Sequence, residues 1–305
     1  MSREIKKNSC RICGCKNASF IGTINSLPGY GVFDIFNCSD CGCRFTWRQQ
    51  KYIFEEIHAG PDNFYSNHVK WASAVKKYFD MRNLVGLRKY LSKMTKFKFI
   101  INNIPVRENV KIAELGCSLG YLSAFFILSG CDIQGLDISE TAVKKASSYF
   151  GDSFSVLNDE FFAKFSGYFD FVFHLGTIGC VDDPIEFTNK SLRLLKPKGK
   201  LLFNSPDTKA LKSESSAWGE FSLPPDLITI FSETFWSRFS NSAEVNISYE
   251  PYEHRLNCSK HLKNIFRGSR MLALPLIALL YCLSRVNLIY RYPMEYGTFV
   301  TMIKK

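Results

Sequence analysis

The chain has 305 residues, 46% of them hydrophobic and 22% charged, which is enough apolar mass for a buried core and excludes disordered, low-complexity and fibrous classes. Its net charge of +11, from 39 basic and 28 acidic side chains, suits contact with nucleic acid, phosphorylated or nucleotide-linked sugars or an anionic membrane surface, and equally a plain solvated basic surface. The opening MSREIKKNSC has no apolar stretch after its charges, so no secretory leader is expected; the most apolar run, 271–283, contains Pro275 and is short of the ~18–20 residues that span a bilayer. The expected setting is cytoplasmic and reducing, where disulfides are disfavoured and paired cysteines point to a metal.

In chain order, residues 1–50 come first, dense in Cys, Gly and turn formers, and read as a metal-binding module. Cys10-x-x-Cys13 and Cys38-x-x-Cys41 are separated by 24 residues. Two such knuckles each present two thiolates from a tight turn and together make a tetrahedral four-thiolate zinc site. Gly14 and Gly42 follow the second cysteine of each pair, where the turn needs a flexible backbone. Each knuckle also carries a third cysteine, Cys15 and Cys43, so the ligand choice is not unique, and a redox pair or reduced core cysteines are the alternatives. With all four positions filled by protein, this zinc would hold the fold and not activate water. Cys117, Cys131 and Cys180 read as packing residues, although Cys117 lies in a loop that matters below.

Residues 51–105 form a linker or lid: Phe64, Val69, Ala72, Val75, Phe79, Leu84, Leu87, Leu91 and Met94 recur at helical spacing over 64–104, and Pro105 ends the region. Residues 106–305 then alternate. Strands are expected at 110–115, 133–136, 153–157, 169–173 and 200–203, with helices at 121–129, from the Ser139 cap to 150, at 160–165 and at 184–195. This rhythm predicts an α/β fold with a Rossmann-like parallel sheet, and 245–249 and 297–303 would bring it to seven strands. Between those last two lies an insertion, 251–293, holding the apolar run and many basic residues. It reads as a buried helix or as a basic amphipathic surface, with peripheral membrane contact through 255–291 on the inner face of the membrane.

Ligands of a parallel sheet bind beyond the carboxyl ends of its strands. The turn after the first of these strands is Glu114-Leu115-Gly116-Cys117-Ser118-Leu119-Gly120. Gly116 lets the chain turn sharply and a ligand come close. Asp137, ending the second strand 17 residues after Gly120, can accept both hydroxyls of a ribose. Glu114 would repel phosphates and suits a cationic ligand, unlike the Gly-x-Gly-x-x-Gly loop that cradles a pyrophosphate.

The string 113–120, followed by Gly135-Leu136-Asp137-Ile138-Ser139, resembles the first two motifs of class I S-adenosylmethionine-dependent methyltransferases; 169–173 and 195–201 resemble their fourth strand and the turn before the fifth. The resemblance implies that Glu114, Gly116, Cys117 and Gly120 line the methionine end, Asp137 holds the ribose and Ile138 lies against the adenine. Asp159, by position, meets the adenine amino group or caps a helix, and His174 and Leu175 face cofactor and acceptor. The cysteine pairs in front of this domain resemble the zinc-containing sugar and polysaccharide methyltransferases, which adds structural Zn2+ at Cys10, Cys13, Cys38 and Cys41 and a small-molecule or glycan acceptor. The segment 218–235 resembles the region covering the acceptor pocket in that group, where a His usually stands at the position of Leu227. The group's Glu-His pair after the fourth strand is Gly179-Cys180 here, so the expected base is missing. His174 is the nearest substitute, or a hydrogen-bonded histidine at a strand end; Tyr65 and His68, in the segment that closes over the cofactor, are the other catalytic candidates, or plain helix-surface residues. Two alternatives stand beside this reading: a zinc-ribbon RNA methyltransferase, which His174-Leu175-Gly176-Thr177 counts against because base-amino methylation usually shows Asn/Asp-Pro-Pro-Tyr there, and a cofactor-fold binding protein without turnover.

Overall fold

The structure is a computed structural model describing residues 9–26, 30–47, 64–211, 218, 223–243, 245–255 and 293–305, without the side chains of 64–67, 210, 251–255 and 293–296. Most of the expected insertion at 251–293 and the start of the 51–105 linker lie outside the described residues. No helix among the described residues is long and apolar enough to cross a membrane.

Three strands open the fold: β1 (Ala18–Asn25), β2 (Val32–Cys38) and β3 (Arg44–Thr46). The expected helical region is three helices, α1 (Phe64–Asp80), α2 (Leu84–Leu91) and α3 (Thr95–Asn103). It breaks at Arg82, whose φ is 50°, and at Asn83, whose side chain accepts the Gly86 N–H to cap α2.

The alternating part follows the expected order. It runs β4 (Lys111–Leu115), α4 (Ser123–Leu128), β5 (Asp132–Asp137), α5 (Glu140–Phe150), β6 (Phe154–Val156), α6 (Asp159–Lys164) and β7 (Phe169–His174). Then come α7 (Pro184–Leu194), β8 (Leu195–Pro206), β9 (Thr229–Ile230), α8 (Glu233–Ser242), β10 (Val245–Arg255) and β11 (Pro293–Lys304). Side-chain caps set the helix starts: Ser139 for α5, Asn158 for α6, Asp183 ahead of Pro184 for α7 and Ser232 for α8. Asn158, not Asp159, is therefore the cap of α6.

The larger sheet has seven strands in the order β10-β11-β8-β7-β4-β5-β6. The five from β8 to β6 run parallel, and β11 and β10 add antiparallel at the far edge. The chain moves outward from β4 to β6, then returns beside β4 with β7, so the order reverses between β4 and β7 and opens a crevice at their carboxyl ends. Side chains alternate across the sheet. Ile112, Ile133, Phe173, Leu202 and Phe299 meet α1–α5 on one face. Ala113, Leu115, Val172, Leu201, Phe203 and Val300 meet α6–α8 on the other.

The sequence reading placed no strands in 1–50. They form a second sheet, β1-β2-β3-β9, whose last strand comes from beyond β8. Its buried Cys10, Ile12, Phe36, Cys38, Cys41, Cys43 and Phe45 join the core under the second face of the large sheet.

Candidate functional site

The loop after β4 is tied to the end of β5. Gly116 and Cys117 donate their N–H groups to the Leu136 carbonyl at 2.7 and 2.8 Å. Gly116 (φ 83°), Ser118 (φ 51°) and Gly120 (φ 73°) take left-handed conformations that turn the chain over the strand ends. A Cβ at Gly116 would fall 2.6 Å from Thr177 Oγ1, so the loop and the end of β7 approach closely.

Two carboxylates bracket this loop. Asp137, 4% exposed, accepts the Ser118 N–H on Oδ2 (2.8 Å) and the Ser139 N–H on Oδ1 (3.0 Å). Glu114 is buried one strand over, with Ser123 donating its hydroxyl to Oε2 at 2.5 Å. Burial pushes the Glu114 carboxyl up to about 8; Ser123 opposes the shift and the nearby Asp137 adds to it. Ser118 Oγ is buried near the Tyr121 hydroxyl, without a hydrogen bond of full geometry among the described residues, and Ile138 stands 59% exposed beside Asp137. A buried acid, a second carboxylate at a strand end, a buried hydroxyl and an exposed apolar side chain together suit a ligand with a cation, a diol and a flat apolar part. Cys117 is buried and contributes its backbone, its thiol turning back to the Ser118 carbonyl.

Tyr121, next to Gly120, is also buried; burial, then the charges of Glu114, Cys117 and Asp137, push its hydroxyl well up. Its oxygen lies 3.0 Å from His68 Nδ1, which joins α1 to the glycine loop. His68 thus stands at the site. Tyr65 lies in α1 one turn earlier, with its side chain outside the described residues. Leu175 packs against the face that holds Glu114. At the end of β8, Asn204 Oδ1 accepts the Gly176 N–H at 2.7 Å and fixes the chain after β7.

One expectation is corrected. His174 shares the face of Val172, opposite Glu114, and is 0% exposed between Phe203 and Phe187, at centroid distances of 4.7 and 5.3 Å. Burial holds its pKa down to about 3, and neither ring nitrogen has a partner among the described residues, so it is a neutral core residue and not an accessible base. Asp159, two residues beyond Leu157, whose N–H bonds the Asp137 carbonyl at 2.9 Å, has an 85% exposed side chain and pairs with Lys190 Nζ at 2.6 Å. Leu227, where the resemblance has a histidine, is buried against Ile35, Trp218 and Ile230. Ser118, Tyr121, Ser123 and Thr177 are site residues the sequence reading did not single out. Ser123 had a signal, as the one polar residue in SAFFIL, placed to face a strand-end acid.

The cysteines form a second centre. Ligand atoms of Cys10, Cys13, Cys38 and Cys41 all lie within 4.8 Å of one another. The two turns repeat each other. Cys10 N donates to Cys15 O and Gly14 N to Cys10 O; Cys38 N donates to Cys43 O and Gly42 N to Cys38 O. The Ile12 N–H points at Cys10 Sγ (3.3 Å) and the Cys41 N–H at Cys38 Sγ (3.4 Å), which favours thiolates. Cys15 Sγ lies 3.2 Å from Cys38 Sγ, while Cys43 turns its thiol to the Cys41 carbonyl.

Residues 81–246, just over half the chain, match the family described as "Methyltransferase domain". The chain belongs to this methyltransferase family. The ubiquinone biosynthesis O-methyltransferase of Aromatoleum aromaticum is 27% identical over 101 residues, 31% of this methyltransferase chain and 43% of that protein, so the chain spans less than half the length of this curated relative. Among solved structures, the YcgJ protein of Bacillus subtilis aligns over 68% of this chain and 97% of its own (13% identity, TM-score 0.49). A SAM-dependent methyltransferase of Methanosarcina mazei aligns over 68% and 96% (16% identity, TM-score 0.44). The matched residues include the glycine loop, both carboxylates and the loop after β7.

Proposed function

We propose that this methyltransferase uses S-adenosylmethionine to methylate a sugar, nucleotide-sugar or polysaccharide acceptor. One observation carries the cofactor assignment: the buried Glu114 and Asp137 at neighbouring strand ends bracket a single glycine loop. The buried Ser118 hydroxyl and the close approach at Gly116 support a ligand resting on that loop. In this reading Glu114 and the 116–120 backbone hold the methionine end, Asp137 the ribose hydroxyls, and Ile138 the adenine. Leu175 lines the pocket toward the acceptor. Bound there, the cofactor supplies a methyl group already activated by a sulfonium. The protein aligns the acceptor in line and removes its proton. His68, its ring held by the Tyr121 hydroxyl beside the loop, takes the role of base, with Tyr65 in the same lid. The cysteine cluster is assigned to structural zinc, since four thiol donors fill a tetrahedral shell and leave no open position for water.

The raised Glu114 carboxyl gives binding a pH dependence. Below about 8 the empty site holds a proton that a cationic ligand must displace, so affinity rises with pH by up to about tenfold per unit from pH 6 to 8. Calorimetry should show this limb, with proton release, and Glu114→Gln should flatten it. By the same linkage, with the folded value above the ordinary 4.5 of a glutamate, the unliganded protein loses stability as pH rises from about 4.5 to 8.

The acceptor is tested with methyl-labelled S-adenosylmethionine against nucleotide sugars, glycans, quinol-like phenols and RNA. Label is expected on the sugar acceptors. Label confined to phenols or RNA would overturn the acceptor assignment, and no binding of S-adenosylmethionine would overturn the whole reading.

A further inference from the structure

We infer that Arg11 is a positioning residue that couples the cysteine knuckles to the acceptor side of the methyl-transfer site; this rests on the functional reading above. Arg11 sits inside the first knuckle, between Cys10 and Cys13. Its side chain leaves the knuckle and reaches three other stretches of chain. Nη1 donates to the Thr46 carbonyl at the end of β3 (3.2 Å), to the Ile228 carbonyl (3.4 Å) and to Thr229 Oγ1 (3.5 Å). Nη2 donates to the carbonyls of Asp182 (2.6 Å) and Val181 (3.4 Å) in the loop after β7. The guanidinium carbon lies 5.8 Å from the Trp47 ring centre. A planar fork with five N–H groups can hold two divergent sets of carbonyls at once, which an ammonium cannot do from one position.

The segments it joins are also bonded to each other. Ile228 and Thr229 donate their N–H groups to the Gly179 carbonyl at 2.9 and 3.1 Å. The crossing is tight: a Cβ at Gly179 would fall 2.4 Å from Leu227 Cδ1 and 2.9 Å from the Thr229 carbonyl oxygen. The second knuckle grips the same stretch, because Ser232, the cap of α8, donates its hydroxyl to the Cys41 carbonyl. Residues 179–182 follow β7, whose end meets the glycine loop at Thr177, and in the functional reading above they border the acceptor. The cofactor residues Glu114 and 116–120 are not among the partners of these bonds.

The knuckle's own turn bonds, Cys10 N to Cys15 O and Gly14 N to Cys10 O, do not use the Arg11 side chain. Metal binding and cofactor binding therefore survive its loss, while the acceptor loop loosens. The test compares the full-length wild type with Arg11→Ala and Arg11→Lys by metal analysis, calorimetry with S-adenosylmethionine, and hydrogen exchange followed by mass spectrometry. Both variants are expected to keep about one zinc per chain and a cofactor affinity within about threefold of wild type. Exchange in 179–182 and 226–230 is expected to speed up by about tenfold or more in Arg11→Ala, with Arg11→Lys restoring less than half of the lost protection. Unchanged exchange, full rescue by lysine, or loss of zinc from Arg11→Ala would each overturn the inference. A wild type without zinc would fail the metal assignment alone; the exchange comparison would still decide the role of Arg11.

Discussion

Asp137→Ala is expected to weaken S-adenosylmethionine binding by at least ~100-fold in calorimetry, the size of loss that two charge-assisted hydrogen bonds carry. The expectation rests on a double duty. In the proposed site the carboxylate takes the ribose hydroxyls, and in the structure it already accepts the N–H groups of Ser118 and Ser139. Alanine removes the ligand's acceptor and both of these hydrogen bonds, so the loop that should receive the methionine end loses its anchor as well. Asp137→Asn separates the two effects. Its carbonyl oxygen can still serve one N–H, so the fold should be kept better than in alanine while affinity still falls. An Asp137→Ala protein that binds within threefold of wild type would remove this residue from the site.

The second large effect concerns the cysteine cluster. Cys38→Ser, or chelation of the metal, is expected to abolish zinc binding and lower Tm by more than ~10 °C in a thermal melt. Structural zinc contributes on the order of 10 kcal/mol where it binds, and at this chain length ~1 kcal/mol shifts Tm by a few degrees. The loss reaches beyond the module, because Cys10, Cys38 and Cys41 lie in the same core as Val172, Leu201 and Phe203 of the large sheet. Without metal the cluster is poorly suited to the buried space it fills. Contact with Cys41 and burial push the Cys10 thiol far up; at Cys38 burial is outweighed by the Cys41 N–H and by Cys15, which hold it at about 7. Cys43→Ser should keep the metal, since its thiol faces a carbonyl, and Cys15→Ser should keep it because the convergent set does not include it. A zinc-free wild type with an unchanged melt would refute the assignment.

Much of the large sheet was legible because each switch from strand to helix carries its own local chemistry. Ser139 and Pro184 mark helix starts that tertiary packing then keeps, and the acid-glycine-acid order of Glu114, Gly116 and Asp137 survives as a contiguous site. The failures are of two physical kinds. In the first sheet β1, β2 and β3 pair with their sequence neighbours but stand among the Cys and Gly turns that dominated the reading of 1–50, while β9 is a pair of residues whose partner strand lies far away in sequence, and no local pattern announces that pairing. His174 was placed at the right strand end but on the wrong face. Alternation along β7 held the answer: Val172 and His174 share one side, Phe173 and Leu175 the other, and only the side facing α4 meets Glu114. Of the two readings of Asp159 only the helix cap fails, since Asn158 takes the cap and leaves its neighbour to pair with Lys190.

The borrowed strand β9 also sets a timetable for synthesis. Both knuckles close within residues 10–43, so the thiols can gather soon after that stretch leaves the ribosome. The edge of β3, by contrast, waits for Thr229 and Ile230, made more than 180 residues later. Until then the module carries an unpaired strand edge and an uncovered apolar face. Nascent chains stalled with residue 230 still inside the ribosome and well outside it should therefore differ sharply in the protease resistance of residues 30–47.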